Sequence, residues 1–176
     1  TRTTACVSSQ VGCSLDCKFC ATSKIKRMRN LNADEIYDQV VAMDQQSRYY
    51  YDRPLSNIVF MGMGEPLMNY KNLIASIDKI TQPEGLGMSP SRITVSTSGI
   101  PKMIMKMADD EAKFGLAVSL HSAIQSVREQ LMPFAEKFPL EELGSSIRYW
   151  YEKTSRPVTY EYVVLKDIND KEADIN

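Results

Sequence analysis

The sequence predicts an α/β fold in which parallel strands are covered by outer helices. Three observations carry this. Short, continuously apolar runs rich in β-formers alternate with segments of helical period. The alternation is regular, strand then helix, the pattern of right-handed βαβ units around a parallel sheet. The polar motifs fall directly after the apolar runs, where a parallel sheet presents its ligand-binding edge. Five strand candidates and four helix candidates are too few for a closed eight-stranded barrel, which leaves a partial, open (β/α) barrel or a doubly wound sheet.

Ala5-Cys6-Val7 is the first strand candidate. Asn32 then caps a helix, with Glu35 three residues on to complete a capping box and Ile36, Val40 and Met43 as the buried stripe. The second strand, Asn57 to Met61, is a continuous apolar run, which suits a strand covered on both faces. Leu73, Ile77 and Ile80 stripe the second helix, and Ile93 to Val95 follows as the third strand. Ile100, Met103, Ile104 and Met107 form the third helical stripe, ahead of a strand from Leu116 to Leu120. Pro139 suits the first turn of the fourth helix, where Leu140, Leu143, Ile147 and Tyr151 recur at helical spacing. Tyr160 to Leu165 is the fifth strand.

At 176 residues, 43% apolar and 24% charged, the chain has the balance of one globular domain with a substantial core. No run approaches the roughly 18–20 apolar residues that span a bilayer, and no signal-peptide pattern opens the chain. A cytoplasmic protein with no membrane partner is the expectation. The net charge of -1 gives no support to a nucleic-acid partner, although a local basic face can supply one. Lys24, Lys26, Arg27 and Arg29 form such a run, readable as a solvated face or as phosphate contacts. Thr1 in place of Met, and the loop-like Asp167-Ile168-Asn169-Asp170 near the end, suggest a piece of something longer.

All four cysteines lie within the first 20 residues. A disulfide framework would spread them to staple distant segments, so crowding them into one stretch points to metal binding in a reducing compartment. Cys13-x-x-x-Cys17-x-x-Cys20 places three thiolates on one short loop, the ligand type that iron–sulfur clusters prefer. Three ligands leave one iron of a [4Fe–4S] cluster open to bind a substrate. The competing reading is structural zinc, which needs a fourth ligand from Cys6 or the distant His121. Four further motifs follow the remaining strand candidates: Gly62-Met63-Gly64-Glu65, Ser96-Thr97-Ser98-Gly99, Ser119-Leu120-His121-Ser122 and the Asp167–Asp170 segment. In a parallel α/β fold they converge on one site.

The run Cys13-Ser14-Leu15-Asp16-Cys17-Lys18-Phe19-Cys20 resembles the signature of radical S-adenosylmethionine (SAM) enzymes. Its surroundings are more specific: Cys6-Val7-Ser8-Ser9-Gln10-Val11-Gly12, Phe60-Met61-Gly62-Met63-Gly64-Glu65-Pro66-Leu67, Thr94-Val95-Ser96-Thr97-Ser98-Gly99 and Ser119-Leu120-His121 resemble the RlmN family, from Arg2 to about Asp170. That resemblance implies a partial (β/α) barrel of the radical SAM type, a core domain over residues 1–176 truncated at both ends. It implies methylation of carbon 2 of an adenine in 23S ribosomal RNA and in tRNA, with a flavodoxin or ferredoxin as electron donor.

By the same resemblance Cys13, Cys17 and Cys20 ligate the [4Fe–4S] cluster. Gly64, Glu65, Ser96, Ser119, Leu120 and His121 contact SAM. Glycine permits close backbone approach and a carboxylate can receive the SAM ammonium. Taken alone, each of these motifs also reads as an ordinary turn, helix cap or satisfied buried group. Cys6 matches the cysteine that resolves a covalent protein–RNA intermediate; its bland reading is a buried strand cysteine. The family's methyl-carrying cysteine has no counterpart in residues 1–176, nor do an upstream glutamate and a later Asn-containing SAM contact. The expectation is a chain that binds SAM poorly and does not turn over by itself. Two alternatives stay open: methylation at carbon 8 of adenine, against which Glu65-Pro66-Leu67 leans, and a non-catalytic, zinc-held RNA-binding module.

Overall fold

The computed structural model describes residues 2–175. Five strands, β1 (Thr4–Cys6), β4 (Asn57–Phe60), β5 (Ile93–Thr97), β6 (Gly115–Ser119) and β7 (Val158–Glu161), form one sheet in that order. Every neighbouring pair is parallel, with Cys6 beside Val59, Val59 beside Thr94, and Ser119 beside Glu161. The intervening helices are α1 (Ala33–Tyr51), α2 (Tyr70–Thr81), α3 (Pro101–Asp109), α4 (Gln125–Leu131) and α5 (Leu140–Thr154), and a short α6 (Glu172–Ile175) ends the described chain. Two short strands, β2 (Gln10–Val11) and β3 (Arg29–Asn30), pair antiparallel and bracket the cysteine loop.

The alternating period of the strands separates the two sheet faces. Ala5, Ile58, Phe60, Ile93, Val95, Leu116 and Val118 are buried in one apolar core. Ile36 and Val40 of α1, Leu73 and Ile80 of α2, Ile104 and Met107 of α3, and Leu143 and Trp150 of α5 join that same core. Helices α1, α2, α3 and α5 therefore pack on a single sheet face, as in a partial barrel, and not on both, as in a doubly wound sheet. A separate, smaller apolar cluster joins Leu131, Met132 and Ala135 to Cys17, Phe19, Val127 and Leu165.

The capping box read at Asn32 is formed: Asn32 Oδ1 accepts from Glu35 N and Glu35 Oε2 accepts from Asn32 N, both at 2.9 Å. Other boundaries differ from the sequence reading. The first strand starts and ends one residue earlier, and the fourth runs Gly115–Ser119. The fifth stops at Glu161, where Tyr160–Leu165 was expected. Beyond Glu161 the backbone takes side-chain partners in place of a ladder: His121 Nδ1 accepts from Val163 N, and Asn169 bonds both Val163 O and Leu165 N. In α5 the buried face runs through Leu143, Ser146 and Trp150, so Tyr151, expected in the stripe, stands 59% exposed. The Trp150 indole reaches the core because its Nε1–H finds Arg156 O at 3.1 Å. Helix α4 and the β2–β3 pair were not expected; each is too short to show a period.

Candidate functional site

The loops leaving all five parallel strands meet around a cavity of about 330 Å³ at the carboxyl edge of the sheet. Cys13, Cys17, Cys20, Gly64, Glu65, Ser96, Ser119 and His121 line it together. Leu120 and Cys6 do not. The Leu120 amide is bonded to Glu161 O, and Cys6 lies exposed on the helix-free face of β1. The buried-cysteine reading of Cys6 is thus not what the structure has. A larger cavity of about 750 Å³ at the amino edge is lined by Arg2, Thr3, Met43, Tyr50, Tyr51 and Arg53 among others, with no Cys, His, Asp or Glu among the described residues that line it.

The cysteine loop is held from three sides. Gly12 adopts φ 76°, and a Cβ there would stand 2.3 Å from Lys26 O, so only glycine permits this crossing of chain on chain. Cys13 N donates to Ile25 O, Cys20 O accepts from Ser23 N and Oγ, and Lys18 N donates to Leu131 O at 2.9 Å. Burial pushes the Cys17 thiol up to about 12, with the charges of Cys13 and Cys20 adding to the effect. Cys13 is raised for the same first cause. Cys13 and Cys17 are thus both held toward the neutral thiol, and a cationic group seated beside them is what would hold them as thiolates. Among the described residues no three His, Cys, Asp or Glu side chains are arranged to hold a single metal ion. A sulfide-bridged cluster takes each thiolate on a separate iron and so spreads its ligands more widely than tetrahedral zinc, and the donor set fits it.

Glu65 sits beside these thiols, 2% exposed. Gly64 precedes it at φ 95°, and a Cβ there would meet Gln10 Cβ at 2.4 Å, so the turn needs glycine. Gln10 Oε1 accepts from Glu65 N at 2.9 Å and holds the turn in place. Burial raises the Glu65 carboxyl, and its hydrogen bonds act the other way. Oε1 accepts from Leu67 N and Thr97 Oγ1, and Oε2 from Ser98 N and Ser98 Oγ. These four bonds fix the carboxyl in one orientation at the cavity wall.

A second carboxylate was missed in the sequence. Glu161, at the end of β7, accepts from Ser96 Oγ at 2.6 Å and from Ser119 Oγ at 3.1 Å through Oε2, tying the two serines to one acceptor. Its signal was an acid at the end of a strand in a parallel sheet, but it was hidden inside an apolar run. His121 is 3% exposed and holds φ 56°. Its Nδ1 accepts from Val163 N, which assigns the ring proton to Nε2. Burial lowers its pKa, and the Phe19 ring meets it edge-on with centroids 4.4 Å apart. Asn169 Nδ2 clamps His121 O at 2.7 Å. The Asp167–Asp170 segment thus acts on the site through Asn169, from behind.

The sequence profile of the Radical SAM superfamily matches residues 7–175. A "Probable dual-specificity RNA methyltransferase RlmN" of Christiangramia forsetii is 73% identical over 98% of this chain and 49% of its own length. The crystal structure of a radical SAM methyltransferase from Sphaerobacter thermophilus superposes with a TM-score of 0.95 at 42% identity, covering 98% of this chain and 50% of that one. Streptococcus suis SuiB, bound to S-adenosylmethionine, shares the fold at a TM-score of 0.69 and 15% identity, over 99% of this chain and 36% of its own. The chain spans about half the length of the curated relatives it matches.

Proposed function

Because this chain belongs to the radical SAM superfamily, we propose that it is the cluster-bearing part of an RNA methyltransferase that modifies carbon 2 of an adenine in 23S ribosomal RNA and in tRNA. The observation that carries this reading is the convergence of three cysteines, Glu65, the Ser96–Glu161–Ser119 set and His121 on one cavity. High identity to relatives named as RlmN methyltransferases supports the substrate class. With Cys13, Cys17 and Cys20 as ligands, a [4Fe–4S] cluster would supply one-electron reduction of bound SAM and so a carbon radical.

The chain's own residues bind, orient and exclude. Glu65, locked by Leu67, Thr97 and Ser98, offers its charge to the SAM ammonium without reorganising. Ser96, Ser119 and Glu161 present hydroxyls and a carboxylate suited to the ribose of SAM. His121 and Phe19 wall one side against water. Cys6, exposed on the helix-free face, is free to attack and release a covalently held RNA base. The methyl-carrying cysteine of this scheme is not among residues 1–176. A cytoplasmic setting and a flavodoxin or ferredoxin as electron source complete the proposal.

Anaerobic reconstitution tests the cluster: the chain should bind about four irons and four sulfides, and Cys17→Ala should lose them. Zinc bound in their place would overturn the reading. For the product, mass spectrometry of RNA treated with the full-length protein should find 2-methyladenosine. 8-Methyladenosine would instead assign the sister activity.

A further inference from the structure

Helix α4 carries a charge that the proposed chemistry does not yet use. Arg128 is fully buried. Nη2 donates to Ser98 O at 2.6 Å and lies 3.4 Å from Ser119 O. Its Nε and Nη1 are buried without any partner among the described residues. No ion pair is formed with a carboxylate: the salt bridges of the described chain all lie elsewhere. Burying an unpaired guanidinium is strongly unfavourable, and an orphaned polar group in a native interior calls for an explanation such as a redox role or a bound ion.

Its surroundings say which anion it faces. One turn further along α4, Leu131 O accepts the Lys18 amide of the cysteine loop, and Cys17 and Phe19 pack on Leu131 and Met132. Cys17 is also the group whose charge opposes the effect of burial on Arg128. Gly99, at φ 96°, lies between Leu143 and the guanidinium: a Cβ there would stand 2.9 Å from Leu143 Cδ1 and 3.3 Å from Arg128 Nη2. The helix, the cysteine loop and the β5 exit thus enclose one buried cation beside one cluster ligand.

We propose that Arg128 is the counter-cation of the cluster site, compensating the negative charge that thiolate ligation brings to the Cys17 corner and so raising the reduction potential of the cluster. The inference rests on the reading of Cys13, Cys17 and Cys20 as cluster ligands. Reduction adds one electron from an external low-potential donor, dithionite in the assay. The added charge stays on the cluster, while Arg128 keeps its proton, so its field favours the reduced form. Arg128 acts through the cluster and is a positioning residue, not a catalytic one.

The test is a redox titration, monitored by electron paramagnetic resonance, of the anaerobically reconstituted chain as wild type, Arg128→Met and Arg128→Lys, with iron and sulfide measured in each. Arg128→Met should load iron fully but be harder to reduce by about tenfold, a fall of ~59 mV for one electron. Arg128→Lys should stay near wild type. If Arg128→Met does not load, Arg128→Gln takes its place, keeping an N–H for Ser98 O without the charge, and the same fall in potential is expected of it. Full iron in Arg128→Met with an unchanged potential overturns it. Failure of all three variants to load also overturns it, because the fork to Ser98 O would then be the requirement. A wild type without iron would instead bring down the cluster reading underneath.

Discussion

Replacing Asn169 by alanine should loosen the exits of β6 and β7 together. Asn169 is fully buried, and its amide makes three bonds: to His121 O at 2.7 Å, to Val163 O at 2.8 Å, and from Leu165 N at 2.6 Å. A net hydrogen bond contributes about 1 kcal/mol, whereas stranding a buried polar group costs about 1–3 kcal/mol. Val163 is exposed and Leu165 partly so, and water can replace their lost partner. His121 is buried, so its carbonyl counts near the upper end. The expected loss is about 3–4 kcal/mol. His121 is also held at φ 56°, a strained conformation that survives only while its surroundings over-determine it. Urea unfolding, followed by the fluorescence of the single tryptophan, Trp150, would read the loss as a lowered midpoint at constant slope. A change below about 1 kcal/mol, the size of one ordinary bond, would refute the clamp. Asn169→Asp gives a second arm. At neutral pH its carboxylate faces two carbonyl oxygens and should destabilise at least as much as alanine.

Three further outcomes follow from the same geometry. Gly64→Ala should cost about 2–3 kcal/mol through the positive φ and the clash with Gln10; adding Gln10→Ala should recover part of it in thermal melts, and strict additivity would contradict the close approach. Asn32→Ala removes the capping box of α1 and should cost about 1 kcal/mol, a drop of roughly 2–4 °C in Tm for a chain of this size; an unchanged Tm would show that packing alone holds the helix start. Burial lowers the His121 pKa below 6.5, so the unfolded chain binds more protons in that window. Its contribution to stability is present above 6.5 and lost as pH falls through the folded value. Denaturation of wild type against His121→Gln, from about pH 7.5 down to about pH 5, should show the wild type losing stability faster on acidification; the opposite slope would contradict a buried neutral ring.

The parts of the fold legible in sequence are those written in near neighbours. Asn32 and Glu35 announce their capping box because both partners lie within one turn. The apolar runs of β4, β5 and β6 are continuous because burial in the core and against the cavity leaves little exposed surface. The convergence of the strand-end motifs was legible for a topological reason: parallel strands bring every carboxyl end to one edge. What was not legible depends on partners far along the chain. Tyr162 to Leu165 is as apolar as a strand, yet an amide at Asn169 and a ring nitrogen at His121 take its backbone bonds. Glu161 becomes a site residue only through Ser96 and Ser119, 65 and 42 residues away. Nothing local distinguishes the buried Arg128 from a solvated arginine on a short helix. Trp150 displaces Tyr151 from the α5 stripe because the larger ring reaches the core while its N–H meets Arg156.

The small apolar cluster around Leu131 bears on how such a protein is assembled. It packs the cysteine loop separately from the core that joins the sheet to α1, α2, α3 and α5. Units that share few apolar contacts open independently, and the smaller unit opens at the lower free energy. Cys17 and its neighbours can therefore be uncovered while the strands stay paired. On the proposed cluster reading, iron and sulfide would then reach a chain that is already folded. Amide exchange in the metal-free protein would show this order directly: the amides of residues 13–20 should exchange well before those of β5 and β6, and metal loading should slow the first set while leaving the second unchanged.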